Sequence, residues 1–169
     1  MSFEFDVRGL EEQLGRLKNY DEIANRNFRK AMQSSLITIQ GNVMPLVPVF
    51  QGRLKNSLGS NIVEITPTEL TGTFGTSLKS ETYPIVMEFG QEPGIMPNPE
   101  SLLRWVHLKI RPGAKNEMSV AWAVATKIYK GGIRGRKYMS TGFQKSRESI
   151  ERYFKQAADQ TAEDLTNGR

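Results

Sequence analysis

The stretch VPVFQGRLKNSL, residues 47–58, decides how this chain folds. Before it, apolar residues recur at helical spacing. After it, they alternate as on a strand. Pro48 closes the first regime and Gly52 permits a sharp reversal. Leu54 and Leu58, four apart, can seat a short helical turn or strand start on a core while Arg53, Lys55 and Asn56 face outward. Nothing in the stretch is arranged for chemistry. Its basic, amphipathic character points to contact between molecules.

Upstream, Phe28, Met32, Ser35, Ile39 and Val43 form one stripe, with Ala31 and Leu36 beside it. This predicts a helix from about Asp21 to Met44, stopped by Pro45 and Pro48. Val7, Leu10, Leu14 and Leu17 predict a shorter amphipathic helix before it. Downstream, SNIVEIT (60–66) and LTGTFGT (70–76), joined through Pro67 and Thr68, predict a hairpin with Leu70, Gly72 and Phe74 on one face. TYPIVMEFG (82–90) reads as a third strand, with Tyr83, Ile85, Met87 and Phe89 opposite Val86 and Glu88, and Pro84 near its start or on an edge. Three prolines and a glycine then make QEPGIMPNPES (91–101) a loop.

Asn98 with Pro99 opens a helix that ends at Pro112-Gly113, and Asn116 caps another that Gly131 and Gly132 close. Thr141 and Gln144 have capping-box spacing, so the last helix is expected to start there. Its buried face would carry Phe143, Ile150, Phe154, Ala157, Thr161 and Leu165, and the tail after Leu165 would fray. The expected fold is α+β: a small antiparallel sheet of three to four strands packed against a long N-terminal helix and a C-terminal helix. It forms one domain, residues 1–169, with a basic helical insertion at about 98–135.

Composition bounds function. The chain has 169 residues, 38% hydrophobic and 24% charged, enough for a sizeable core. It has no cysteine, which excludes disulfides, thiolate metal sites and a cysteine nucleophile, and fits a reducing compartment. No apolar run reaches membrane-spanning length, and residues 1–10 show no apolar leader segment. The formal charge of +5 is unevenly spread. From Arg104 to Arg147 eleven bases face one acid, Glu117, giving +10. Elsewhere twelve bases face seventeen acids, giving −5.

Candidate chemistry is sparse. His107 is the single histidine, without the neighbours of a catalytic triad or a zinc set, and reads as a surface or half-buried structural residue. No cofactor or metal site is expected. GGIRGRK (131–137) lacks P-loop spacing. It reads as a flexible connector with solvated charges, though Arg134, Arg136 and Lys137 could face DNA or a protein partner. Trp105 and Trp122 sit among apolar neighbours on helices, where core packing is the default and an interface the alternative. Glu88 ends an apolar run; exposure is the expectation, and if buried it would need a cation such as Arg53 or Lys55.

Three pieces stand in order: residues 48–58 around Gly52, Tyr83 followed by Glu88-Phe89-Gly90, and Arg136-Lys137-Tyr138-Met139 leading into the last helix. In this order the chain resembles the neck and tail-completion family of long-tailed bacteriophages, related to minor tail protein Z of lambda-like phages. The resemblance spans the first long helix to the last. Gln51 stands where the family tends to have threonine, Lys137 where it has proline, and Tyr138-Met139 where it has Phe-Leu.

The resemblance implies a non-enzymatic virion subunit, assembled in the host bacterial cytoplasm and arranged as a homo-oligomeric ring where the head connector meets the tail. Its partners would be connector, adaptor or stopper proteins on one side and tail terminator or tube proteins on the other, with no membrane. Arg53, Lys55, Asn56, Glu88, Trp105 and Trp122 would contribute to subunit contacts. Gly52, Leu54, Leu58, Tyr83, Phe89, Gly90, Tyr138 and Met139 would be structural. The alternative is a nucleic-acid-binding module built on residues 104–147, whose cations lie near Tyr129 and Tyr138. Transient contact with packaged DNA is compatible with both readings. A small hydrolase centred on His107 is a third and poor reading.

Overall fold

The structure, a computed structural model, describes residues 20–66, 69–78, 82–111, 113 and 116–167. The short helix expected near Leu10 lies outside them. In order come α1 (Tyr20–Val43), α2 (Arg53–Ser57), β1 (Leu58–Thr66), β2 (Glu69–Thr76), α3 (Tyr83–Phe89) and β3 (Gly90–Gln91). α4 (Pro99–Lys109), α5 (Glu117–Gly131), β4 (Ile133–Arg134) and α6 (Tyr138–Asn167) follow. The fold is α+β, with a long helix near each end and two antiparallel two-stranded ribbons, β1–β2 and β3–β4.

The chain divides into two compact units. Unit 1 holds residues up to Asn42, Gly59–Gly75 and Phe143 onward; unit 2 holds Val43–Leu58 and Thr76–Gly142. The insertion expected at 98–135 falls wholly in unit 2.

In unit 1, α1 and α6 run antiparallel. Phe28 stacks on Phe154 with ring centroids 6.1 Å apart, and Asn42 donates to Ser146 at 2.9 Å. The predicted stripe is the one that packs: Ala31, Ser35, Leu36 and Ile39 are buried. Phe74 is buried from the β1–β2 hairpin, and Gly72 lies so close to the Met32 side chain that a Cβ there would strike its sulfur. On α6, Ala157 and Thr161 are buried as expected, whereas Phe143 is exposed.

One polar cluster in unit 1 was not anticipated. Asp164 is buried and accepts from Asn27 Nδ2 at 2.9 Å, Gln160 Nε2 at 2.8 Å and Arg26 Nη2 at 2.9 Å. The Asn27 hydrogen bond, foremost, holds its carboxyl below the usual range. The available signal was Asn27 itself, one turn from Ala24 and Ala31 on the apolar stripe.

Unit 2 begins with the opening stretch. Gln51 and Gly52 both take left-handed φ, 61° and 73°, and reverse the chain into α2. Leu54 is 1% exposed and Leu58 is buried, so the pair docks as expected. The hairpin base closes here, where Ser77 N–H donates to the Ser57 carbonyl at 2.9 Å. α4 and α5 form a helical pair in which Val106, Ala121 and Ala125 are fully buried. Asn98 caps α4 as predicted, its side chain accepting from Glu100 N–H at 2.9 Å; Asn116 precedes α5 without such a bond. α4 stops at Lys109, short of Pro112, and Arg111 at φ 55° turns the chain.

Three expectations are corrected. Residues 83–89 are helical: with Pro84 in the first turn, where it is tolerated, Pro84 and Glu88, four apart, form the buried side. An apolar run this short cannot be told from a strand by period alone. α6 starts at Tyr138, so Thr141 lies inside the helix, its N–H bonded to the Lys137 carbonyl. GGIRGRK is no loose connector, since Gly90 pairs with Arg134 and Gln91 with Ile133.

Candidate assembly interface

The second and third sequence pieces meet in unit 2. Lys137 N–H donates to the Glu88 carbonyl at 3.0 Å and Arg136 N–H to the Met87 carbonyl at 2.8 Å. β3 and β4 pair just beyond, and the backbones touch because Gly90 and Gly135 carry no side chain. A Cβ at Gly135 would lie 2.5 Å from the Glu88 carbonyl oxygen; one at Gly90 would lie 2.4 Å from that of Ile133.

Glu88 locks this joint. It is 5% exposed, which corrects the expectation of a solvated acid. Its partner is neither Arg53 nor Lys55 but the start of α6. Oε2 accepts from Met139 N–H at 2.8 Å, and Oε1 accepts from Ser140 N–H at 2.9 Å and Ser140 Oγ at 2.5 Å. The first amides of a helix have no partner of their own and lie at the positive end of its dipole, so a carboxylate fits there without a cation. Burial pushes the Glu88 carboxyl up, but the bonds from Ser140 and Met139 outweigh it and hold the group below its ordinary value. Tyr138 is 2% exposed, and burial, then the Glu88 charge, then Tyr83 raise its phenol. Glu88, Tyr138 and Met139 are thus one structural cluster, while Tyr83 at the start of α3 is 36% exposed, and Glu88 leaves the set of surface-contact residues.

Lys137 precedes α6 with φ 52°. That conformation excludes proline, whose ring holds φ near −65° and which lacks the N–H given to Glu88. A left-handed lysine costs about 1 kcal/mol. Lys137→Gly should therefore stabilise the protein by about 0.5–1 kcal/mol, read as a rise in urea midpoint at unchanged slope.

The other predicted residues sit on the surface of unit 2. Arg53, Asn56, Arg134 and Arg136 are exposed, and Lys55 and Trp105 half-buried. Trp122 is 53% exposed, so core packing does not account for it. Phe89, expected to be structural, is 74% exposed, because on α3 it lies on the side away from Pro84 and Glu88. Ile85 shares that outward face and is 59% exposed. Sequence reasoning missed both by reading a strand.

His107 Nδ1 lies 2.6 Å from Glu117 Oε1, and its side chain is largely exposed. The contact ties the end of α4 to the start of α5. Exposed ion pairs contribute about 0–1 kcal/mol. His107→Ala should lower stability by less than about 1 kcal/mol in thermal unfolding and leave every function intact. Among the described residues no three His, Asp or Glu side chains gather as a metal-binding group, and no described helix is long and apolar enough to cross a membrane.

Comparison with models of known protein families, with curated proteins and with solved structures finds no match to this chain.

Proposed function

We propose that this chain is a non-enzymatic structural subunit of a bacteriophage virion, forming a ring at the head–tail junction and needed to join the tail to the filled capsid. The observation that carries this reading is the Glu88 joint. Sequence pieces about fifty residues apart, singled out for their order, meet through three hydrogen bonds that end on one buried carboxylate. Residues in such a cluster hold a shape, and the shape they hold displays Phe89 and Ile85 to solvent. Electron microscopy tests the proposal. Purified protein should form rings, and particles made without it should accumulate as filled heads and separate tails. Normal particles made in its absence would end the proposal.

A second reading, binding of nucleic acid through residues 104–147, draws support from exposed Trp122 and Tyr129 beside exposed Lys130. It requires DNA affinity that falls steeply with salt. Binding that is weak at low salt and insensitive to added salt counts against it.

A further inference from the structure

Unit 2 gathers large apolar side chains around the β3–β4 ribbon and leaves them in solvent. Phe89 is 74% exposed, Ile95 60%, Trp122 53% and Tyr129 46%. Backbone ties bring the segments that carry Phe89, Ile95 and Tyr129 together. Gly94 N–H donates to the Tyr129 carbonyl at 2.8 Å, and Gln91 Nε2 donates to the Ile95 carbonyl at 3.1 Å. Gln91 itself pairs with Ile133 two residues beyond Phe89. Trp122 lies two helical turns before Tyr129, on the same side of α5.

An aromatic side chain presents about 150–250 Å², so the three aromatics expose roughly 350 Å². That alone is the size at which an apolar patch marks a contact surface. With Ile95 and neighbouring Met96, also exposed, it supplies much of the roughly 800 Å² that each partner buries in a stable protein interface.

We infer that this patch seats a second copy of the chain in a head-to-tail contact. The inference rests on the ring reading and names its surface. Two features decide the occupant. Ile95 and Met96 have no π-face for a nucleobase to stack on but suit a protein core. The rim is cationic, with Lys130 and Arg134 exposed against Glu92. Two copies meeting patch to patch would bring these rims together at a cost, whereas the sequence outside residues 104–147 carries −5. The complementary surface therefore lies elsewhere on the neighbour. A contact between unlike faces repeats around a ring and closes when the rotation allows.

Sedimentation of wild type, Phe89→Asp and Trp122→Glu, each checked for native helical content, tests this. Wild type should sediment as a multiple of 19.1 kDa and both variants as single chains. Should Trp122→Glu lose helicity, Phe89→Asp and Ile95→Lys decide, since both sites are the more exposed. Variants that keep the wild-type mass overturn the inference while leaving the ring reading standing. Variants that keep that mass but lose binding to a single-stranded oligonucleotide overturn it in favour of nucleic acid. A wild type that stays a single chain at every concentration also overturns it, and the ring reading falls with it only if particles lacking the protein still join heads to tails.

Discussion

Glu88→Ala should destabilise the protein by about 2–4 kcal/mol, although the side chain's bonds among the described residues come from amides and a hydroxyl, not a cation. The loss has two parts. Three donors, the Met139 and Ser140 amides and the Ser140 hydroxyl, lose their acceptor. The dipole of a 30-residue helix loses its negative counter-charge. Glu88→Gln separates the two, because it keeps the shape but replaces one accepting oxygen with a donor that faces another donor. It should cost about 1–2 kcal/mol at neutral pH.

The pH dependence has a defined sign. The folded-state carboxyl titrates below its ordinary value of 4.5. Its stabilisation is therefore fully present above that pH and fades as pH falls through the folded-state value. Wild type and Glu88→Gln should differ most at neutral pH and converge in acid. The variant should keep an acid-labile component from Asp164, whose ordinary value of 3.8 is likewise lowered. Denaturant melts from neutral pH down to the acid limit measure both. A gap that stays constant across that range would remove Glu88 from its role as a charged cap.

These effects mark the boundary of what the sequence could show. The helix α1, its buried stripe, the hairpin and the reversal at Gly52 were legible because each depends on residues close in sequence. An i, i+4 stripe needs a face to bury, an alternating run needs a partner strand, and left-handed backbone calls for glycine. The start of α6 was misplaced because its cap comes from residue 88. Thr141 and Gln144 offered a local capping box, and a carboxylate about fifty residues away won with three donors. Residues 83–89 form a helix with Pro84 and Glu88 on its buried side, which sends Phe89 outward. The long-range contact accounts for the misread cap; the misread strand and the missed exposed aromatic follow from an apolar run too short for its period to decide. The surface was legible only in part. The charge division was countable, but the exposure of Trp122 depends on which side of α5 packs on α4, and Ala121 and Ala125 decided that.

Two glycines four apart should respond to alanine with opposite signs. Gly131 is the last residue of α5, and a Cβ there meets nothing within 4 Å. Gly131→Ala should be neutral or stabilise by about 0.5 kcal/mol through helix propensity. At Gly135 the new atom would sit 2.5 Å from the Glu88 oxygen and the Phe89 carbonyl carbon and 2.7 Å from the Gly90 nitrogen. All three neighbours are backbone, so no rotamer change relieves the overlap and the two segments must separate. Separation stretches the bonds from Arg136 N–H to Met87 and from Lys137 N–H to Glu88, and draws the Glu88 carboxylate off α6. Overpacking and lost hydrogen bonds together should cost about 3–5 kcal/mol. Thermal melts give the magnitude. Hydrogen exchange gives the location, because the Arg136, Lys137, Met139 and Ser140 amides should lose protection while those of Thr38 and Ile39 in α1 keep theirs. A Gly135→Ala protein as stable as the wild type would mean that the joint tolerates separation, and Glu88 would then be dispensable as well.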